Sequence, residues 1–134
     1  FVLDQPKIGL HWPVPDAVMA GRPALARYAD REVVLGIRPE AFRLAEPGSG
    51  RPTGPVILTE MTGADAYVFL DLPVPNIVPG RAKSDEEELV HDGVTRITAR
   101  VEPVQLPDRG QPVGLEAPLS RVHVFDPATG EAIR

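Results

Sequence analysis

Nucleotide hydrolysis requires a glycine-rich loop ending in Lys and Ser or Thr, so that backbone amides cradle the phosphates and the hydroxyl holds magnesium. The chain has two lysines, Lys7 and Lys83, and only Lys83 is followed by a hydroxyl residue, Ser84, after Gly80-Arg81-Ala82. The upstream glycine spacing and the strand-loop-helix setting are missing, so the chain does not hold ATP by that device. The histidines are His11, His91 and His123, and their spacing forms no local ligand pair for a metal. Glu86, Glu87, Glu88, His91 and Asp92 could gather a cation in one loop, although a solvated acidic loop is the simpler reading. Ser49 and Ser120 lack the glycine elbow of a serine nucleophile, and Ser84 sits beside the acidic run. Without cysteine, thiolate metal sites, disulfides and cysteine nucleophiles are excluded. No catalytic, cofactor-binding or metal-ligating set is assigned.

Binding rather than catalysis is then the class to weigh. Nineteen acidic against 14 basic residues give a formal net charge of −5, which argues against general attachment to phosphate backbones or anionic lipid. Single-stranded nucleic acid needs aromatic platforms in a basic groove. Tyr67 and Phe69 instead alternate with Asp65 and Asp71, so no nucleic-acid partner is expected. All but two of the basic residues are arginine, a side chain suited to fixed ion pairs at interfaces, and compositional bias of the source genome explains the same excess. No apolar run approaches the roughly 18 residues of a membrane span. The N-terminus shows no basic-then-apolar signal, and a start at Phe1 fits a processed protein or a piece of a longer one.

The elements that would position such residues are short. The 134 residues suit one domain, 43% are hydrophobic, and 16 prolines and 12 glycines punctuate them. Residues 1–12 suggest one or two irregular strands. Asp16 is placed to cap a short helix reaching Tyr28, with Val18, Met19, Leu25 and Tyr28 on its buried side, although Gly21 and Pro23 favour a broken helix or turn nearly as well. Val33–Ile37 is a compact strand stopped at Arg38-Pro39, and Phe42–Ala45 is a short partner. A turn-rich loop over 46–55 precedes strands at 56–62 and 64–72, joined at Gly63. In the second, Ala64, Ala66, Val68, Leu70 and Leu72 share one face, and Asp65, Tyr67, Phe69 and Asp71 the other. Residues 73–93 carry the run Asp85-Glu86-Glu87-Glu88 and read as an excursion. Ile97, Ala99 and Val101 face inward on a strand over 95–102. Strands at 113–117 and 121–125 follow, then a tight turn at Asp126-Pro127-Ala128-Thr129-Gly130, with Ala132-Ile133 placed to pair back. Six to nine strands without βαβ alternation predict an all-β small barrel or sandwich, with at most one short helix near the N-terminus.

Three stretches together resemble one family. Val33-Val34-Leu35-Gly36-Ile37-Arg38-Pro39-Glu40 is similar to the V-x-L-G-I-R-P-E signature that follows the nucleotide-binding domain in ATPase subunits of maltose-, trehalose- and glycerol-phosphate-type ABC importers. Glu60-Met61-Thr62-Gly63-Ala64-Asp65-Ala66-Tyr67-Val68 resembles their E-x-x-G-x-x-x-Y-V strand pair. Val122-His123-Val124-Phe125-Asp126-Pro127-Ala128-Thr129-Gly130 resembles the closing segment, apolar-His-apolar-F-D-x-x-T-G. The matches run in the family's order from about residue 33 to 133, whereas the first thirty residues fit loosely and 73–93 is longer than the pattern.

The resemblance implies that residues 1–134 are a C-terminal, OB-like regulatory domain on the cytoplasmic face of the membrane. ATP and magnesium would be held by a separate upstream domain. Implied partners are a second copy of the ATPase subunit, the membrane subunits of a carbohydrate or polyol importer, and a cytosolic regulatory protein. Gly36, Arg38, Pro39, Glu40, His123, Phe125 and Asp126 are the candidate interface or regulatory residues. The same residues also read as internal braces, with Arg38 and Glu40 on a rigid corner, Phe125 a core plug and Asp126 the cap of the turn to Gly130. The rival function is a stand-alone barrel that senses a sugar or oxyanion.

Overall fold

The computed structural model describes residues 1–77 and 93–134. The acidic run, His91 and the Lys83-Ser84 pair lie outside the described residues. Nine strands occur in the described part, with one short α-helix and several 3-10 turns, so the expected all-β, small barrel-like architecture is found.

A five-stranded antiparallel sheet forms the centre. Its strands are β4 (Arg43–Ala45), β5 (Thr53–Thr62), β6 (Asp65–Leu72), β7 (Thr95–Val101) and β8 (Pro112–Glu116), in the order β4-β8-β5-β6-β7. β5 is the bent member. Its first residues, Thr53–Pro55, pair with β8, and the stretch from Val56 pairs with β6, with a register shift between Val56 and Leu58. A bulge of this kind sharpens local twist and lets one strand turn a corner. The sheet curls until its outer strands β4 and β7 lie against each other. Phe42, Val56, Val68, Leu70, Leu72, Ala99, Val113 and Leu115 fill the enclosed space. Of the inner face expected over 64–72, Ala66, Val68, Leu70 and Leu72 are buried, whereas Ala64 lies exposed in the turn before β6, which begins at Asp65.

The remaining strands form two ribbons. β1 (Val2–Gln5) pairs with β2 (Leu10–Pro13), and β3 (Val34–Ile37) pairs with β9 (Val122–Phe125). Leu3, Leu10 and Val14 make one small core beside the barrel, and Leu25, Val124 and Ile133 make another.

The N-terminal helix is broken. α1 covers only Asp16–Ala20, and a 3-10 turn takes over at Pro23–Tyr28. Asp16 is not the cap: Pro15 holds that position without a side-chain bond, and Asp16 lies in the first turn, where its charge suits the helix dipole. Of the four residues expected on the buried side, Leu25 is fully enclosed, while Val18, Met19 and Tyr28 are half-buried. No helix among the described residues is long and apolar enough to cross a membrane.

Candidate functional site

All seven candidate residues fall on or beside the β3–β9 ribbon. Two sequence stretches about ninety residues apart meet there, with Val34 opposite Phe125, Leu35 opposite Val124, Gly36 opposite His123 and Ile37 opposite Val122. Alternation divides the ribbon into two faces. Val122 and Val124 are buried on the inner face. Val34, Gly36, His123 and Phe125 share the outer one, with His123 exposed. The His123 and Phe125 rings lie 6.5 Å apart at 33°.

Gly36 has a specific steric task. A Cβ at this position would stand 2.8 Å from the Phe125 ring, inside any ordinary contact. The ring therefore lies over bare backbone, the arrangement by which an aromatic neighbour covers a strand glycine. This corrects the expectation of Phe125 as a core plug. The ring is only partly buried, on the outer face, because its strand phase is that of His123 and opposite to that of the buried valines.

At the ribbon's exit Arg38 stays extended and Pro39 opens a 3-10 turn over Pro39–Ala41. The missing amide and fixed φ of proline suit that first position. The Arg38 side chain is exposed, and neither it nor the Glu40 carboxylate is hydrogen-bonded to a described residue. The corner is held instead through main chain: the Ala41 amide donates to the Arg38 carbonyl at 2.9 Å, and Arg121 Nη1 donates to the Glu40 carbonyl at 3.4 Å.

Asp126 does what its place before the turn suggests. One carboxylate oxygen accepts from the amides of Ala128 at 2.8 Å and Thr129 at 2.9 Å. The other accepts from Tyr28 Oη at 2.6 Å, and the Arg31 guanidinium lies 5.3 Å from the centre of the Tyr28 ring. The chain then returns, with Phe125 bridging Ala132 and the Ile133 amide donating to the Val124 carbonyl. Tyr28 is the site residue that sequence reasoning missed. Its pattern marked it as a helix-face apolar residue, and no local signal connects a phenol to a carboxylate 98 positions away.

Among the described residues no group of three or more His, Asp or Glu converges as a metal site.

Curated proteins similar to the chain are import ATP-binding proteins. The sn-glycerol-3-phosphate import ATP-binding protein UgpC of Burkholderia ambifaria is 32% identical over 119 residues, covering 87% of this chain and 27% of that protein. UgpC of Burkholderia thailandensis is 31% identical over 130 residues, covering 97% of this chain and 28% of that protein. The chain is similar to one part of these importer ATP-binding subunits. It spans little more than a quarter of the length of these relatives. No protein-family profile matches it. This similarity agrees with the three motif stretches, of which the first and third contain the two strands of the ribbon and the second is the β5–β6 hairpin.

The Tyr28–Asp126 bond predicts a two-sided pH dependence. The Tyr28 hydrogen bond, reinforced by the Thr129 and Ala128 amides, holds the Asp126 carboxyl below its ordinary 3.8. The same bond, with burial and the nearby carboxylate charge, raises the Tyr28 phenol above its ordinary 10.0. A depressed acid stabilises the fold at pH values above its unfolded pKa, and that contribution is lost as pH falls through the folded value. A raised phenol stabilises the fold below its unfolded pKa and loses this as pH rises through the folded one. Tyr28→Phe should therefore flatten the thermal-stability profile both below pH 4 and above pH 10. Asp126→Asn should flatten the acid limb further, because it also weakens the acceptor of the two amides. Melting curves across pH check both variants, and an unchanged alkaline limb in Tyr28→Phe would refute the phenol's role.

Proposed function

We propose that this chain is the regulatory and dimerisation domain of the ATP-binding subunit of an ABC importer, acting by contact and not by catalysis. The observation that carries this is the alignment, which spans nearly all of this chain but a small share of proteins named for glycerol-phosphate import and ATP binding. ATP and magnesium would be bound by an upstream nucleotide-binding domain of the parent polypeptide. The parent would sit on the cytoplasmic face of the membrane with its membrane subunits, import a carbohydrate or polyol such as glycerol 3-phosphate, and answer to a cytosolic regulatory protein.

A lasting contact between two such domains would keep the two nucleotide-binding halves at high effective concentration while they open and close. A regulator would act by binding one of those states more tightly than the other. The outer face of the ribbon is suited to this. Partly buried Phe125, exposed His123 and exposed Arg38 stand on a framework fixed from behind by Asp126, Tyr28 and Arg121, so little order must be gained on docking.

Two measurements test the proposal. The polypeptide that carries this sequence in its source cells should be several times longer than the chain and should bear a phosphate-binding loop upstream. A native product of 14.5 kDa would sink the transporter assignment. Sedimentation should find a dimer of the parent that deletion of this domain weakens, with ATP hydrolysis per subunit retained. Dimerisation unaffected by the deletion would overturn the dimerisation role.

A further inference from the structure

A second feature lies away from the ribbon, where β2, Arg43 of β4, the end of β8 and the loop residues Ser49 and Arg51 line an open surface cleft of about 420 Å3. Trp12 forms one wall, and His11, Arg43, Ser49, Arg51 and Glu116 supply the polar lining. Small-ligand sites have this size and this mixture of one flat apolar wall with a few convergent polar groups.

The loop is wedged into place. The His11 amide donates to the Gly50 carbonyl at 2.8 Å, and a Cβ on Gly50 would stand 2.6 Å from the His11 carbonyl oxygen. On the other side a Cβ on Gly114 of β8 would stand 2.6 Å from the Glu46 carbonyl oxygen. Ser49, at the tip, has φ 55, a left-handed conformation costing a non-glycine residue about 1 kcal/mol or more. Strain of this kind persists where the surroundings over-determine it and clusters at ligand sites.

The charges are arranged unequally. Glu116 stands between two arginines, as cross-strand partner of Arg43 and acceptor from Arg51 Nε. Arg51 is also tied through Nη1 to the Glu46 carbonyl at 3.3 Å. Its Nη2, and the whole of the exposed Arg43 guanidinium, have no hydrogen-bond partner among the described residues. His11 Nδ1 is engaged with Asp4 at 3.1 Å, which leaves Nε2 as its other polar atom. Within the lining itself one carboxylate faces two guanidinium groups, while the Asp4 carboxylate is engaged by His11 at the rim.

We infer that this cleft binds a small polyol phosphate. Guanidinium forks match phosphate oxygens in geometry as well as charge. Arg43 and the free nitrogen of Arg51 take the phosphoryl group, Glu116 and Ser49 bond the hydroxyls, and the carbon chain lies against the Trp12 ring. The inference rests on the cleft and not on the transporter assignment, so either can fail while the other stands.

Trp12 is the only tryptophan of the chain, so its fluorescence reports this site alone. Glycerol 3-phosphate, the smallest stable polyol monophosphate, should change the emission saturably. Arg43→Ala should weaken that binding by about tenfold or more, the value of one charge-assisted hydrogen bond. Arg43 is exposed and its side chain braces no described residue, so circular dichroism of the variant should match the parent. Glycerol should give no saturation, and inorganic phosphate should bind more weakly. Equal affinity for inorganic phosphate would overturn the polyol half and assign the cleft to free phosphate. No saturable response to either phosphate, or an equal response in Arg43→Ala, would overturn the site, and titration calorimetry on both proteins guards against a silent fluorophore.

Discussion

Leu70→Ala should lower the unfolding free energy by about 2–5 kcal/mol, the cost of a buried leucine truncated where neighbours relax only partly. Leu58→Ala, one strand away, should stay within about 0.5 kcal/mol, as exposed substitutions do. The contrast follows from strand phase. Leu70 lies on β6 between Val56 and Ile97 of the flanking strands and is wholly buried. Leu58 pairs with Phe69 on the opposite face and keeps 39% of its surface exposed. Denaturant unfolding checks both, with the midpoint moving and the m-value unchanged if only stability is altered. A small loss for Leu70→Ala would mean that the sheet does not close over its core. A loss for Leu58→Ala as large as that for Leu70→Ala would mean that the outer face is covered in solution, and a second copy of the chain would become its natural occupant.

The same period-2 arithmetic explains what the sequence made legible. Strands at 65–72 and 95–101 carry clean alternation because one face meets the barrel interior and the other meets solvent, so composition records their orientation. The turn at Asp126 was equally readable, since an Asx cap is a local bond between residues two and three apart. Three features were not readable, and each depends on distant partners. By residue type Gly36 suggests a tight or unusual backbone turn, yet in the ribbon it makes room for a ring from a strand about ninety residues later. Phe125 looks like core by residue type, and only its pairing with Val34 puts it outside. Tyr28 and Asp126 meet because the N-terminal segment folds back along the ribbon, which no window of sequence contains. The cleft beside Trp12 has the same origin. Its lining comes from β2, β4, the loop after it and β8, brought together by the barrel and its N-terminal hairpin.

The ribbon supplies the second large effect. Gly36→Ala should destabilise the fold by about 1–3 kcal/mol, the usual range for overpacking. Its backbone is ordinary extended strand, so the loss should come from the 2.8 Å clash with the Phe125 ring and not from lost flexibility. That origin can be isolated. In a cycle of Gly36→Ala, Phe125→Ala and the double variant, removing the ring should relieve the clash, so the double variant is more stable than the summed losses predict. A coupling of about 0.5–3 kcal/mol is the range for residues in contact. Strict additivity would refute the steric account and return Gly36 to a backbone role. The same variants separate brace from interface. If Phe125 acts only as a brace, Phe125→Ala changes stability and leaves self-association of the parent polypeptide untouched. If the ring is an anchor for the sister subunit, truncating it costs less in fold stability than in affinity, because such anchors concentrate binding energy. The ring's cover over bare glycine is a bracing arrangement, while its place beside exposed His123 and away from the buried valines suits an anchor, and loss of dimer with near-normal melting decides for the anchor.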